Sequence, residues 1–161
     1  MGIFVNERDL PMRSFWIVCA VVLSASVSQA ASAAEVTVEM LNRDKTTNVS
    51  TLFKPGLVKV NKGDTVKWIA TNPGHNVAFL QGGVPAGVEL FTSGFQKETS
   101  YKFEKPGIYL YKCTPHFGLG MVGLVVVGGD KSNLAAVKAV YVPPLAKKRL
   151  EPLFAEIEAG R

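Results

Sequence analysis

From residue 35 to residue 128 apolar and polar side chains alternate in short runs, and turn-forming residues separate the runs. Residues 35–41 set Val36, Val38 and Met40 against Thr37 and Glu39. Residues 57–60 alternate up to the turn Asn61-Lys62-Gly63-Asp64, and residues 65–70 follow it. Residues 76–80 come after Thr71-Asn72-Pro73-Gly74-His75. Residues 100–103 lead into Glu104-Lys105-Pro106-Gly107, and residues 108–113 and 122–127 complete the series. A period of two turns one face of each run toward a core. Runs at this spacing, with no helical period between them, predict an all-β sandwich or barrel. Residues 82–94 show no period and are expected to form a long surface connection.

After Gly128-Gly129 the period becomes 3.6. Across residues 131–141 the apolar positions Leu134, Val137, Val140 and Tyr141 make a stripe one helix face wide, with Asp130 or Ser132 placed to cap it. Pro143-Pro144 ends that helix. Residues 145–159 set Leu145, Leu150, Leu153, Phe154 and Ile157 broadly on one face of a second. Pro152 has no N–H to donate, so a kink or a fresh helix start is expected there. Both helices are expected to pack on the β part. Lys147-Lys148-Arg149 reads as a solvated helix face.

The first 34 residues differ from the rest. Arg8 and Arg13 flank a charged start, an apolar run from 15 to 27 follows, and small residues (SQAASAA) close it. This is the pattern of a secretory signal. The run is too short and too rich in Ser for a comfortable membrane span. Residues 1–34 are therefore read as a cleaved leader. Residues 35–161 form one domain, 35–128 its β part and 129–161 its helical part. No membrane segment is expected in the mature form.

Export changes the meaning of the cysteines. Cys19 leaves with the leader, so Cys113 enters an oxidising compartment alone, where a structural thiol would normally be paired. A metal is the obvious holder of such a thiolate. Arg8 and Arg13 are balanced by Glu7 and Asp9, so the mature part keeps the whole net charge of +5. That modest basic balance suits an acidic protein partner. No nucleic-acid-binding motif accompanies it, and export argues against such a ligand.

Residues 35–161 hold two His, one Cys and two Met. Cys113, His116 and Met121 fall within nine residues, CTPHFGLGM, and His75 lies in a turn between two predicted strands. A thiolate and two imidazoles form a three-ligand plane, and a thioether approaches weakly along its axis. That set suits copper cycling between Cu(II) and Cu(I). Zinc would also accept Cys and His, but the Met argues against it. Pro115 stiffens the loop, while Gly118 and Gly120 let it turn tightly.

Cys-x2-His-x4-Met with an upstream Gly-His-Asn resembles the cupredoxins, the small blue copper proteins. Val58-Lys59-Val60, Gly63-Asp64-Thr65-Val66, Gly74-His75-Asn76-Val77, Lys112-Cys113-Thr114-Pro115-His116 and Gly120-Met121-Val122-Gly123, with the two C-terminal helices, resemble the pseudoazurins among them. The resemblance implies a Greek-key β-sandwich with His75, Cys113, His116 and Met121 as ligands of one type 1 copper ion. It implies that Asn76 and Thr114 brace the ligand loop from behind. It also implies a docking patch at the partly exposed His116, formed by Phe117, Leu119 and Gly120 with Pro85 and Ala86 nearby, and steering charges at Lys45 and Lys112. Pro73 and Thr92 depart from the family, which often has lysines there.

The function so implied is periplasmic one-electron transfer, with no substrate transformed. Its partners would be transient and acidic: a reductase such as a copper nitrite reductase, a peroxidase, a c-type cytochrome or a dehydrogenase. The sequence shows no second metal cluster and no paired carboxylates near the ligands, so it does not read as an enzyme. Copper storage or delivery is the competing reading, and facile metal release would distinguish it.

Overall fold

The computed structural model describes residues 1–2 and 33–160. The expected leader lies almost wholly outside these residues. Eight strands come first: β1 (Glu35–Arg43), β2 (Ser50–Lys54), β3 (Leu57–Val60), β4 (Thr65–Ile69), β5 (Ala78–Phe79), β6 (Thr99–Lys102), β7 (Gly107–Lys112) and β8 (Val122–Val127). Two helices follow, α1 (Leu134–Ala139) and α2 (Pro144–Glu158). The strands form two four-stranded sheets, ordered β2-β1-β4-β6 and β3-β8-β7-β5. β1 runs parallel to β4 and β3 parallel to β8, and the other pairs are antiparallel. Among the described residues, no helix is long and apolar enough to cross a membrane.

The alternation decides which side chains meet. Val38 and Met40 of β1 and Val66 and Trp68 of β4 face Tyr109 and Tyr111 of β7 and Val125 and Val127 of β8, all buried between the sheets. On the far side of the second sheet, Ile108, Leu110, Leu124 and Val126 meet Val137 of α1 and Leu150 and Ile157 of α2. That sheet is covered on both faces, so VGLVVV in β8 has no polar position. Asp64 accepts hydrogen bonds from the Ala34 and Asn61 N–H groups and ties the start of β1 to the β3–β4 turn.

Several expectations change. β2 is an additional edge strand, and β5 is only two residues long. Residues 82–94 are not simply a surface connection: Gly83 and Pro85 are buried, and Val84, Val88 and Phe91 pack on the core. α1 starts after Asn133, whose side chain bonds the Ile108 backbone instead of capping the helix. Tyr141 is 85% exposed and Leu145 50%, while Ala146 takes the inward position at the start of α2. Pro152 lies on the exposed side inside one helix and starts no second one.

The placement of the β-ladder prepares a site. Lys112 pairs with Val122, so residues 113–121 close the end of the β7–β8 ladder as a loop. Ala78 pairs with the same Lys112 from the other side, which brings residues 75–77 beside Cys113.

Candidate metal centre

Three donor atoms converge where that loop meets the β4–β5 turn. Cys113 Sγ lies 3.7 Å from His75 Nδ1 and 3.5 Å from His116 Nδ1, and the two nitrogens are 3.1 Å apart. The point equidistant from all three is about 2.0 Å from each, the bond length a first-row metal makes to imidazole nitrogen. Two nitrogen lone pairs at 3.1 Å repel unless a proton or a metal ion lies between them. The residues therefore fit a metal of this size.

The loop is folded by its own backbone. The His116 carbonyl accepts from the Leu119 and Met121 N–H groups, and the Met121 carbonyl accepts from the Cys113 N–H. A single 3-10 turn (Phe117–Leu119) closes on Gly120, whose φ of +83° favours glycine. Met121, the expected thioether ligand, is fully buried in the same core cluster as Cys113. Asn76 braces the loop through two bonds to Thr114. Its Oδ1 accepts from the Thr114 N–H at 2.7 Å, and its Nδ2 donates to Thr114 Oγ1 at 3.1 Å.

The buried ligands are held ready for a cation. His75 is fully buried, and Asn42 Oδ1 accepts from its Nε2–H at 2.9 Å. That bond leaves Nδ1 as the free lone pair aimed into the site. Asn42 is itself tied down by its N–H, which donates to Asn72 Oδ1. Asn42 escaped the sequence reading, because nothing but its place near the end of β1 marks it. Burial pushes the Cys113 thiol upward, against the smaller opposing effect of backbone N–H bonds from Asn76 and His116. The thiol stays protonated near neutrality until a metal displaces the proton.

Burial first, and then the nearby His116, depress the His75 pKa. The unfolded chain therefore binds this proton at higher pH than the fold does. The stability this contributes is present above the ordinary histidine value of about 6.5 and is lost as pH falls through the depressed one. Metal-free protein should unfold at progressively lower temperature below about pH 6.5, well above the range where carboxylates titrate. Thermal unfolding of the metal-free form at a series of pH values checks this, with His75→Gln as reference. An equal pH slope in the variant would remove His75 as the cause.

The expected docking residues divide. Phe117 and His116 are half-buried, Leu119 is 52% exposed, and the Lys112 ammonium sits 4.7 Å over the Phe117 ring. Lys45 is exposed in the turn after β1. Pro85 does not belong with them. The chain after β5 runs antiparallel to β7 and away from the site, so Pro85 is buried against Gly107, at the opposite end of β7 from Cys113. Arg149 is also misplaced by the sequence reading. It is half-buried, and its guanidinium donates to the carbonyls of Ser50, Thr51 and Gly120.

A thiolate, two imidazoles and a thioether on a β-sandwich define a type 1 copper protein. Residues 38–128 match the family model of copper binding proteins, plastocyanin/azurin family. The chain is 43% identical over 128 residues to a pseudoazurin of Methylorubrum extorquens, covering 80% of this chain and 85% of that one. It is 38% identical over 120 residues to a pseudoazurin of Paracoccus pantotrophus, covering 74% and 81%. The crystal structure of native pseudoazurin from Hyphomicrobium denitrificans superposes with a TM-score of 0.72 at 43% identity, covering 76% of this chain and 97% of that one. The chain belongs to the pseudoazurins, within the plastocyanin/azurin family of copper-binding electron carriers.

Proposed function

We propose that this chain is exported to the periplasm, loses residues 1–34 there, and carries single electrons to an acidic reductase such as a nitrite reductase. The one observation that carries the reading is an asymmetry in the ligand set. His75, Cys113 and Met121 are sealed from water, while His116 stands half-buried at the rim beside the exposed Leu119. His75, Cys113, His116 and Met121 would hold the copper, which when bound supplies a reversible one-electron couple.

The chain's own groups do the rest. Asn76, Asn42 and the loop backbone fix the donor atoms, so little has to move when the charge at the centre changes. The burial of three ligands keeps water and other ligands out. His116 offers the short path to a partner, and Leu119 and Phe117 supply an apolar contact that forms and breaks quickly. Lys112 and Lys45 add positive charge at or near this end, matching the net charge of +5. Peroxidases, c-type cytochromes and dehydrogenases with acidic faces fit the same surface.

The test is stopped-flow electron transfer from the reduced protein to a purified copper nitrite reductase at two ionic strengths. Raising salt from about 0.01 M to about 0.15 M shortens the screening length from about 30 Å to about 8 Å. The second-order rate should fall severalfold, with the copper retained. Transfer of the metal itself would support a delivery role instead.

A further inference from the structure

Arg149 makes no hydrogen bond to a ligand side chain, yet it bonds the peptide that carries one. We infer that Arg149 is a positioning residue for the thioether of Met121, acting through the Gly120 carbonyl.

The Gly120–Met121 peptide is held at both edges. Its carbonyl accepts from Arg149 Nη1 at 3.0 Å, and its N–H donates to the His116 carbonyl at 3.1 Å. A peptide unit is planar, so fixing both edges fixes its rotation and hence the direction in which the Met121 side chain leaves the backbone. Glycine at 120 would otherwise leave this unit freer than one that follows a residue with a Cβ. The backbone of α2 closes the remaining side. A Cβ on Gly120 would lie 3.0 Å from the Leu145 carbonyl carbon and oxygen.

The same guanidinium is anchored at a second place. Nη1 also donates to the Thr51 carbonyl at 2.6 Å, and Nη2 to the Ser50 carbonyl at 2.7 Å. Thr51 has a φ of +48°, a left-handed conformation unusual for a β-branched residue. Three carbonyls from two distant segments thus converge on one planar cation, and α2 delivers it. An arginine fork can span them, whereas a lysine ammonium is a single point that cannot hold the same spread. The strength of a weak thioether ligand would tune the potential of copper held here. Arg149 thereby links the helical part of the chain to its redox centre.

The experiment compares Arg149→Lys, Arg149→Gln and Lys148→Gln, the last removing one charge from the same helix turn. Amide exchange is read on metal-free protein, and visible and EPR spectra and potential on the copper form. Both Arg149 variants should speed exchange of the Met121 N–H about tenfold, the scale of one lost charge-assisted hydrogen bond. They should leave Leu110 in β7 unchanged and alter the copper spectrum, while Lys148→Gln changes none of these. The proposal is overturned if exchange rises equally at Met121 and Leu110, if Met121 does not respond, or if Arg149→Lys keeps the wild-type spectrum. Equal potential shifts in Lys148→Gln and Arg149→Gln, without spectral change, would also overturn it by reducing Arg149 to its charge. Should Arg149→Gln not fold, Arg149→Lys decides by the same readings.

Discussion

Cys113→Ser is expected to abolish the intense blue colour of the copper-loaded protein and to weaken copper binding by more than about 100-fold. Losing only a supporting contact to a ligand typically costs 10- to 100-fold in metal affinity, roughly, and here the ligand itself goes. The thiolate is the one soft anionic donor in the set, and a serine hydroxyl does not ionise near neutrality to replace it. The two imidazoles would still offer nitrogen to Cu(II), so weak, pale binding should remain. Titration with Cu(II), followed by visible absorption and calorimetry, measures both effects. A serine variant that turns blue would remove Cys113 from the centre. The wild-type chain should release about one proton per copper bound at pH 7, because burial keeps the thiol protonated until the metal arrives.

Gly123→Ala should destabilise the fold strongly. Gly123 faces Tyr111 across the β7–β8 pair, and a Cβ there would come 2.4 Å from the Tyr111 Cζ and Oη. The ring cannot swing aside. It is fully buried, with Phe53 at 4.8 Å and Trp68 at 5.3 Å between ring centroids. Overpacking of this kind costs about 1–3 kcal/mol, and the lack of any free direction places this case near ~3 kcal/mol. The melting temperature should fall by about 10 °C. Tyr111 stands two residues before Cys113 and is buried in the same core cluster, so displacement of the ring should also disturb the copper spectrum. Thermal unfolding of Gly123→Ala, alone and with Tyr111→Leu, tests the cause. If the second change restores no stability, the ring is not what the methyl group meets.

Elements with strict alternation were legible in the sequence because burial on one face demands it. The runs containing Val38 and Met40, Val66 and Trp68, and Tyr109 and Tyr111 became strands near their expected bounds. The metal centre was legible because thiol and imidazole are rare in residues 35–161, and Cys113, His116 and Met121 share one loop, with His75 in a turn upstream. What failed shares a different cause. β2 is an edge strand whose only buried side chain is Phe53, so its pattern is faint. Leu145 and Ala146 exchanged roles because the first turn of α2 must lie against Gly120, and a larger inward side chain has no space there. Pro85 was placed at the wrong end because strand direction, unlike periodicity, is set by tertiary pairing. Arg149 looks like its solvated neighbours Lys147 and Lys148, since the three carbonyls it serves lie about 30 and 100 positions away in the chain.

The unequal anchorage of the two ligand segments gives the centre a preferred route of decay. Cys113 and Met121 extend the last rung of a six-rung ladder covered on both faces, whereas the His75 segment has two rungs with β7 and is clasped on its other side by the irregular stretch 91–96, where the Phe91, Val77 and His75 carbonyls accept from the Phe79, Ser93 and Gln96 N–H groups. Thermal fluctuations open the thinly paired margin of a sheet long before its middle. The imidazole at 75 therefore keeps its place only while the 91–96 stretch stays docked, and loosening that stretch would free one donor and leave the Cys113–Met121 hairpin intact.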